Sequence, residues 1–293
     1  MHSASYMLDE TEVVQYVTLA LRELQADMHL LLTLDRASAF EQVLLNWKDT
    51  SNITRAIDLS SEHRMKVLLL RKYGDQIRVL GEESLDDPNL DLSSENRPVF
   101  LLDVVDGTDL LVRELSNWCS AVLVFYPQQQ RIAAAFVADS LGQVYYAIDS
   151  EEGAYILPPG DEAAPVPIKP STTEAVADSY LCFYGQKGEN LLSVINQTAL
   201  LDQVKRIYNL GGNPMLAKVA NGSIDAVFEL LGQKPHDVLP GLYIAIKAGA
   251  VACLPNGDQL SMSSALHNPA GHTLRYIVAC TQKLSRELCE YFC

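Results

Sequence analysis

The sequence predicts a mixed α/β protein, in which an α+β half precedes an α/β half. Near the N-terminus, long stretches carry apolar residues at helical spacing, and strand-like apolar runs separated by polar turns follow them. Beyond residue 173, short strand-like runs alternate with helix-like segments. The predicted boundary places residues 1–155 in the first half and residues 156–293 in the second.

Two helices are predicted to open the first half. Between residues 6 and 32, apolar side chains recur at the spacing of an amphipathic helix. The segment Ser60–Gly74 predicts a second helix, because a serine can cap its start and the glycine can end it.

Strands are predicted to follow these helices. The run QIRVL predicts a short strand, and VFLLDVV, from Val99, predicts a stronger one. The runs WCSAVLVFY, RIAAAFVAD and VYYAI are separated by PQQQ and SLGQ, which indicates antiparallel hairpins. The proline-rich segment 156–173 is the predicted connection between the halves.

The second half is predicted to alternate strands with helices, as in an α/β arrangement. Its strand-like runs are SYLCFY, AVFEL, AVACL and RYIVAC. Its helix-like segments are NLLSVINQTALLDQV, NPMLAKVANG, VLPGLYIAIKAG and KLSRELCEYF.

The composition argues against several classes of partner. Of 293 residues, 22 are Lys or Arg and 37 are Asp or Glu, so the net charge is −15. Nucleic-acid polymers and anionic membranes require a basic surface, so we expect neither as a partner. No basic segment followed by an apolar core opens the chain, and we expect a cytoplasmic protein. Six cysteines without a C-x-x-C pair predict buried, reduced thiols.

Acidic residues at a strand end are the first candidates for chemistry. Asp103 and Asp106 stand three positions apart in Asp-Val-Val-Asp-Gly-Thr, where the predicted strand ends. Gly107 permits a sharp turn, and a helix that starts after it would point N–H groups at an anion. A calcium-binding loop, an Asx turn or a helix cap are the alternative interpretations of this motif alone.

Three further acids extend this set. Glu82 follows the preceding strand, so it is predicted to lie at the same sheet edge as Asp103, although adjacent glutamates are usually solvated. Asp58 and Asp237 stand near predicted helix starts, where capping is the alternative role. Hard carboxylate oxygens suit Mg²⁺, with Mn²⁺ or Ca²⁺ as substitutes. Asp103 is the best placed to bridge two ions.

The order of these motifs resembles the inositol monophosphatase family of lithium-sensitive, Mg²⁺-dependent phosphomonoesterases. Gly-Glu-Glu-Ser comes first, Asp-Val-Val-Asp-Gly-Thr follows, and His-Asp-Val-Leu-Pro-Gly lies toward the C-terminus. The resemblance extends from Asp58 to Cys280 and includes VANGSIDAVFEL. It implies a layered α/β/α/β/α fold and a homodimer.

The resemblance also implies a set of metal ligands. Glu82, Asp103 and the Val105 carbonyl would hold one Mg²⁺. Asp103, Asp106 and Asp237 would hold another, with two or three ions in all. Mn²⁺ is the expected substitute and Li⁺ the expected inhibitor.

The reaction that the resemblance implies is attack by a metal-activated water on a small phosphate monoester, without a phospho-enzyme. The Thr108 hydroxyl, linked to Asp58, would activate that water, and Glu82 is assigned to the catalytic set with them. The residues implied to contact the substrate are Lys48, Gly107, Thr108, Gly211, Gly212 and Glu229.

The predicted substrate is an inositol monophosphate or a similar polyol or sugar phosphate. Fructose-1,6-bisphosphatase and 3′-phosphoadenosine 5′-phosphate phosphatase activities are the alternatives among enzymes. A second phosphate requires a basic site, and Lys205-Arg206 is the best basic pair near the later motifs. A catalytically silent metal- or phosphate-binding regulator is the alternative outside enzymes.

Three residues depart from the family pattern. Val104 replaces the usual proline, which makes the turn less rigid but keeps the ligands. His236 replaces the usual tryptophan before the last aspartate, which changes packing or adds a titratable group. Asp109 adds a carboxylate, for which we favour solvent exposure.

Overall fold

The structure is a computed structural model that describes residues 7–39, 41–43, 54–85, 87–160, 163–185, 195 and 199–292. Its helices are α1 (Glu10–Leu34), α2 (Arg36–Ala39), α3 (Ala56–Tyr73), α4 (Thr108–Val112), α5 (Leu200–Gln203), α6 (Gly212–Ala220), α7 (Pro235–Ala248), α8 (Ser263–His267) and α9 (Gln282–Glu290). Its first nine strands are β1 (Gln42–Val43), β2 (Thr54–Arg55), β3 (Arg78–Gly81), β4 (Val99–Asp106), β5 (Cys119–Tyr126), β6 (Arg131–Asp139), β7 (Val144–Ile148), β8 (Ala154–Leu157) and β9 (Val166–Ile168). The other strands are β10 (Tyr180–Phe183), β11 (Arg206–Asn209), β12 (Ala226–Gln233), β13 (Val251–Cys253) and β14 (Leu274–Ala279).

Two large sheets form the framework. The first has seven strands in the order β3-β4-β5-β6-β7-β8-β9, and only its β3–β4 pair is parallel. The second has five strands in the order β11-β10-β12-β14-β13. The short strands β1 and β2 pair with each other.

The two sheets and the helices stack in layers. Helices α1 and α3 pack on each other and on one face of the seven-stranded sheet. Helices α6 and α7 lie between the other face of that sheet and the five-stranded sheet. Helix α9 covers the outer face of the five-stranded sheet. The predicted α/β class is therefore confirmed, and the order of layers is α/β/α/β/α.

The central strands are mostly apolar, as expected for strands whose two faces are both covered. Along β4, Val99 and Leu101 face α6 and α7, whereas Phe100 and Leu102 face α1 and α3. All four side chains are fully buried. The predicted hairpins β5–β6 and β6–β7 are also found, with antiparallel registers.

Two local predictions need correction. The second helix begins at Ala56 rather than at Ser60, because buried Ile57 and an acidic side chain occupy an earlier first turn. The proline-rich segment contributes β9, because Pro167 lies on the last strand of its sheet, where no further ladder bond is needed.

The segment NLLSVINQTALLDQV falls mostly outside the described residues, and α5 is its described end. Strand β11 was not predicted, because its four residues lack the apolar alternation of a buried strand. Among the helices of the described ranges, none combines the length and apolar character needed to cross a bilayer.

Candidate active site

Two acidic residues meet where the parallel strands β3 and β4 lie side by side. Gly81 pairs with Leu102, so the next residues along the two strands, Glu82 and Asp103, are neighbours at the same sheet edge. Burial raises the pKa of Glu82, and the negative charge of Asp237 adds to the rise. The strand register therefore brings Glu82 and Asp103 together at one sheet edge, as the sequence predicts.

A β-bulge brings the third carboxylate to the same side. Asp103 pairs with Ala121 and Asp106 pairs with Cys119, so three steps along β4 match two steps along β5. In a regular strand, residues three apart point to opposite faces. With one residue bulged, Asp103 and Asp106 share a face, while the two valines between them pack toward α1 and α3.

Asp103 has the environment of a cation ligand. Its side chain is 1% exposed, and neither carboxylate oxygen has a hydrogen-bond partner among the described residues. Burial raises its pKa well above the usual value, and the charges of Glu82 and Asp106 raise it further. A buried carboxylate of this kind is costly unless it is protonated or bound by a cation. This oxygen-rich donor set fits a hard divalent cation such as Mg²⁺.

Asp106 also caps the start of helix α6. Its Oδ2 accepts a hydrogen bond of 2.9 Å from the backbone N–H of Asn213. A Cβ atom at Gly212 would lie 2.8 Å from the same oxygen, so only glycine allows this approach. Burial and the charge of Asp237 raise the pKa of Asp106 to about 8, although the Asn213 hydrogen bond lowers it. The predicted glycine loop therefore touches a candidate metal ligand.

The turn after β4 places the predicted threonine next to the predicted aspartate. Gly107 has φ +94°, and a Cβ there would lie 3.2 Å from the Asn117 carbonyl oxygen. Thr108 Oγ1 lies 2.9 Å from Asp58 Oδ1 and 3.0 Å from the Val105 carbonyl oxygen. The hydroxyl has one hydrogen, so it fully donates to only one of these acceptors at a time.

Asp58 lies inside the first turn of α3 rather than before the helix. Its side chain is 4% exposed and faces the turn after β4, where it accepts a hydrogen bond from Thr108. A carboxylate at this end of a helix is stabilised by the helix dipole. The capping and catalytic interpretations of Asp58 are therefore compatible.

Asp237 and His236 lie in the first turn of α7. The backbone N–H of Lys234 donates to Asp237 Oδ2 at 3.3 Å, which is the alternative capping role. His236 Nε2 lies 3.2 Å from Asp237 Oδ1 and 3.9 Å from Glu82 Oε1. Burial lowers the pKa of His236, although the charge of Asp237 opposes the change. The side chains of Glu82 and Asp237 are each 28% exposed, so this end of the cluster opens to solvent.

Glu229 lies on the face of β12 that points toward α6 and α7. Its side chain is 3% exposed, and Oε1 accepts hydrogen bonds from the N–H groups of Leu231 at 2.6 Å and Gly232 at 3.0 Å. It pairs with Tyr276, whose pKa is raised by burial and then by the charges of Glu229 and Asp106. The charges of Glu229 and Asp106 therefore both act on the same tyrosine.

Three other residues that the sequence analysis singled out remain to be located. Gly211 precedes α6, and a Cβ there would lie 2.6 Å from Tyr184 Cβ. Asp109 is exposed, as predicted. Lys48 lies outside the described residues.

Sequence reasoning missed two supporting residues. Glu62 accepts the N–H of Glu83 at 2.8 Å and pairs with Lys66 at 2.6 Å, so it holds the loop that carries Glu82. Its four-residue spacing from Lys66 on a helix predicts only that ion pair and not the contact with Glu83. Asn213 donates to the His236 carbonyl at 2.8 Å and ties α6 to α7. No local pattern distinguished it from a helix-start asparagine.

Comparisons with known proteins agree with this architecture. The model of the inositol monophosphatase family matches residues 14–292. The IMPase of Thermotoga maritima is 15% identical, with 96% of each chain covered and a TM-score of 0.73. The extragenic suppressor protein suhB of Bartonella henselae is 15% identical over 96% of this chain and 98% of its own, with a TM-score of 0.76. An IMPase/NADP phosphatase in complex with NADP and Ca²⁺ is 14% identical over 98% of this chain and 97% of its own, with a TM-score of 0.74. A search of curated proteins by sequence finds no match.

Proposed function

Because the chain belongs to the inositol monophosphatase family, and is therefore a phosphomonoesterase, we propose that it is a Mg²⁺-dependent phosphatase of an inositol monophosphate or a similar polyol or sugar phosphate. The observation that carries this proposal is Asp103, a buried carboxylate whose two oxygens lack hydrogen-bond partners among the described residues. It is surrounded by other carboxylates, and the family uses divalent metals. A cation-dependent reaction explains why so much negative charge is concentrated where a phosphate must bind.

We assign the ligands as follows. Glu82, Asp103 and the Val105 carbonyl would hold one ion, and Asp103, Asp106 and Asp237 would hold the second. When bound, Mg²⁺ supplies a Lewis acid that lowers the pKa of a coordinated water and offsets the charge of the phosphate. Two or three Mg²⁺ ions, replacement by Mn²⁺ and inhibition by Li⁺ are expected from the family resemblance.

The chain's own residues orient the attacking water. If Thr108 donates its hydroxyl hydrogen to Asp58 Oδ1, 2.9 Å away, its oxygen lone pairs are free to accept a hydrogen bond from water. Asp58 would then fix the rotamer of the Thr108 hydroxyl by accepting its hydrogen bond, and Glu82, at the end of the neighbouring strand β3, would help to position the water. The turn at Gly107 brings the start of α4 to this point, where backbone N–H groups suit a phosphate oxygen.

The substrate's polyol part is assigned to the other side of the site. Glu229 is held rigidly by the N–H groups of Leu231 and Gly232, and a rigid carboxylate is a suitable acceptor for sugar hydroxyls. Gly211, Gly212 and Lys48 complete the proposed substrate-binding set. A monophosphate is favoured over a bisphosphate because a second phosphate requires a basic site, and Lys205-Arg206 is the best basic pair near the later motifs.

Three broader features are also proposals. We propose that residues 1–155 carry the metal motifs and that residues 156–293 add the last metal aspartate and the substrate contacts. We propose a homodimer, which light scattering coupled to size exclusion tests directly. We propose a cytoplasmic location, which fits the five free, buried cysteines of the described chain.

A panel of phosphate esters tests the function. Purified protein is assayed for phosphate release from inositol monophosphate, glycerol phosphate, fructose 1,6-bisphosphate and 3′-phosphoadenosine 5′-phosphate, with Mg²⁺ and with a chelator. We expect Mg²⁺-dependent release from the two monophosphates and the largest kcat/KM on one of them. Preference for a bisphosphate would refute the substrate class. Hydrolysis of no ester would favour the silent regulator, provided that the protein still binds Mg²⁺.

A further inference from the structure

His236 lies at the open end of the acidic cluster, beside two assigned metal ligands. Its Nε2 is 3.2 Å from Asp237 Oδ1 and 3.9 Å from Glu82 Oε1. One potential ligand atom from each of these three residues lies within 4.8 Å of the others. The three side chains therefore converge on one small volume.

These separations are close to those of ligands that share one ion. Nitrogen and oxygen ligands bind divalent metals at about 2.0–2.2 Å, so two ligands at a right angle around the ion lie about 3 Å apart. The separation between His236 and Asp237 already has this value, and the separation from Glu82 exceeds it by less than 1 Å. A small rotation of the partly exposed Glu82 side chain completes the set.

The environment of His236 shows which of its ring nitrogens faces the acidic cluster. Its side chain is 7% exposed, and its Nδ1 atom has no hydrogen-bond partner within the described ranges. Nε2 is the ring nitrogen that faces the two carboxylates, and burial keeps the ring away from bulk solvent. Asn213 donates to the His236 carbonyl and so holds the backbone from which the ring projects.

We propose that His236, together with Glu82 and Asp237, is a direct ligand of a third ion beside the two assigned above, and that it makes this third position selective for a transition metal such as Co²⁺ over Mg²⁺. The inference rests on the proposed function only in the premise that this cluster binds divalent cations. A neutral imidazole donates a nitrogen lone pair, which strengthens binding of borderline metals and adds little for Mg²⁺. The family pattern described above has tryptophan here, which cannot supply this ligand.

The competing interpretation is that His236 donates its Nε2–H to Asp237 as an ordinary hydrogen bond. His236→Gln separates the two, because the glutamine amide retains an N–H donor near the position of Nε2 but is a poor ligand for transition metals. His272→Gln is the matched control, since His272 is exposed and lies outside the cluster.

The test is equilibrium binding of Co²⁺ and of Mg²⁺ to the metal-free full chain, measured by titration calorimetry for wild type and both variants. We expect His236→Gln to weaken Co²⁺ binding by about tenfold or more and Mg²⁺ binding by less than about threefold. His272→Gln should change neither affinity. Equal loss of both affinities, or no loss, would overturn the proposal.

A second measurement detects metal coordination directly in the wild-type protein. Proton NMR of the Co²⁺-loaded wild type should show a strongly shifted ring N–H signal from a coordinated histidine, which deuterium exchange and His236→Gln remove. Absence of this signal while Co²⁺ is bound overturns the proposal. If neither metal binds, the proposed function and this inference fail together. If Co²⁺ binds through His236 but no ester is hydrolysed, only the proposed function fails.

Discussion

Replacing Asp106 with asparagine should make the metal-free protein more stable while removing its function. Asp106 is a carboxylate whose pKa is raised to about 8, first by burial and then by the charge of Asp237. Asparagine has nearly the same shape, and its side-chain oxygen still accepts the Asn213 N–H that Asp106 Oδ2 accepts at 2.9 Å. The substitution therefore removes a charge and leaves the start of α6 capped.

The size of the effect follows from proton linkage. In the unfolded chain Asp106 ionises near pH 4, whereas in the folded chain it holds its proton to about pH 8. The folded state is therefore favoured at low pH, and stability is lost as the pH rises between these two values. At about 1.4 kcal/mol per pH unit, the loss between pH 5 and pH 7 is at most about 3 kcal/mol.

The assay is urea unfolding of the metal-free protein at pH 5 and pH 7, in the presence of a chelator, followed by the fluorescence of buried Trp118 and by circular dichroism. Asp106→Asn should exceed wild type in unfolding free energy, and the difference should grow toward pH 7. Asp109→Asn is the matched control, because the same change at an exposed residue should alter stability by less than about 0.5 kcal/mol.

Adding Mg²⁺ should reverse the order of stability. Saturating Mg²⁺ stabilises wild type by mass action, and Asp106→Asn should gain less because it lacks a ligand. Phosphatase activity of the variant should be abolished. The reasoning is refuted if the metal-free variant is less stable than wild type at pH 7, or if the difference does not depend on pH. Unchanged Mg²⁺-dependent activity would remove Asp106 from the metal site.

Three further substitutions test other parts of the site. Gly212→Ala places a Cβ 2.8 Å from Asp106 Oδ2 at a residue with φ +71°, so it should weaken Mg²⁺ binding in a titration. Gly74→Ala is the control, because Gly74 has φ +62° but no neighbour within 4 Å. It should lose only about 1–2 kcal/mol of stability in urea unfolding. Asn213→Ala removes two buried hydrogen bonds to α7 and should cost about 2–4 kcal/mol; a thermal melt unchanged from wild type would contradict this connection between the helices. Thr108→Val should lower kcat by on the order of 10²–10⁴ without lowering Mg²⁺ affinity, and Thr108→Ser should restore most of the rate; equal losses in both variants would argue against the hydroxyl's role.

Much of the fold was predictable because its signals are local. The hairpins β5–β6 and β6–β7 follow from apolar runs separated by short polar turns. The start of α3 was wrong because capping residues at Ser60 and Ser61 outweighed buried Ile57, whose environment depends on the rest of the chain. Strand β9 was missed because proline argues against a strand unless the strand lies at an edge, and edge position is a tertiary property.

The residues of the candidate site also fall into two groups, those that the sequence could select and those that it could not. Glu82, Asp103 and Asp106 could be selected because each stands at the end of a predicted strand. Glu62 could not, because its contact with Glu83 joins residues 21 positions apart on separate elements. Side-chain proximity of this kind depends on how a helix packs against a strand end, which no spacing in the sequence encodes.

By itself the sequence determined the α/β class, the acidic net charge and an ordered series of carboxylate motifs, because hydrophobic periodicity and residue chemistry are local properties. The tertiary structure alone decided which of those carboxylates face one another. The bulge in β4 turns Asp103 and Asp106 to one face, and the packing of α6 brings Asn213 to Asp106 across 107 positions of chain. The same packing sets His236 beside Glu82. Strand register and helix packing are collective outcomes of burying the whole core, so they fix distances between residues that the sequence keeps far apart.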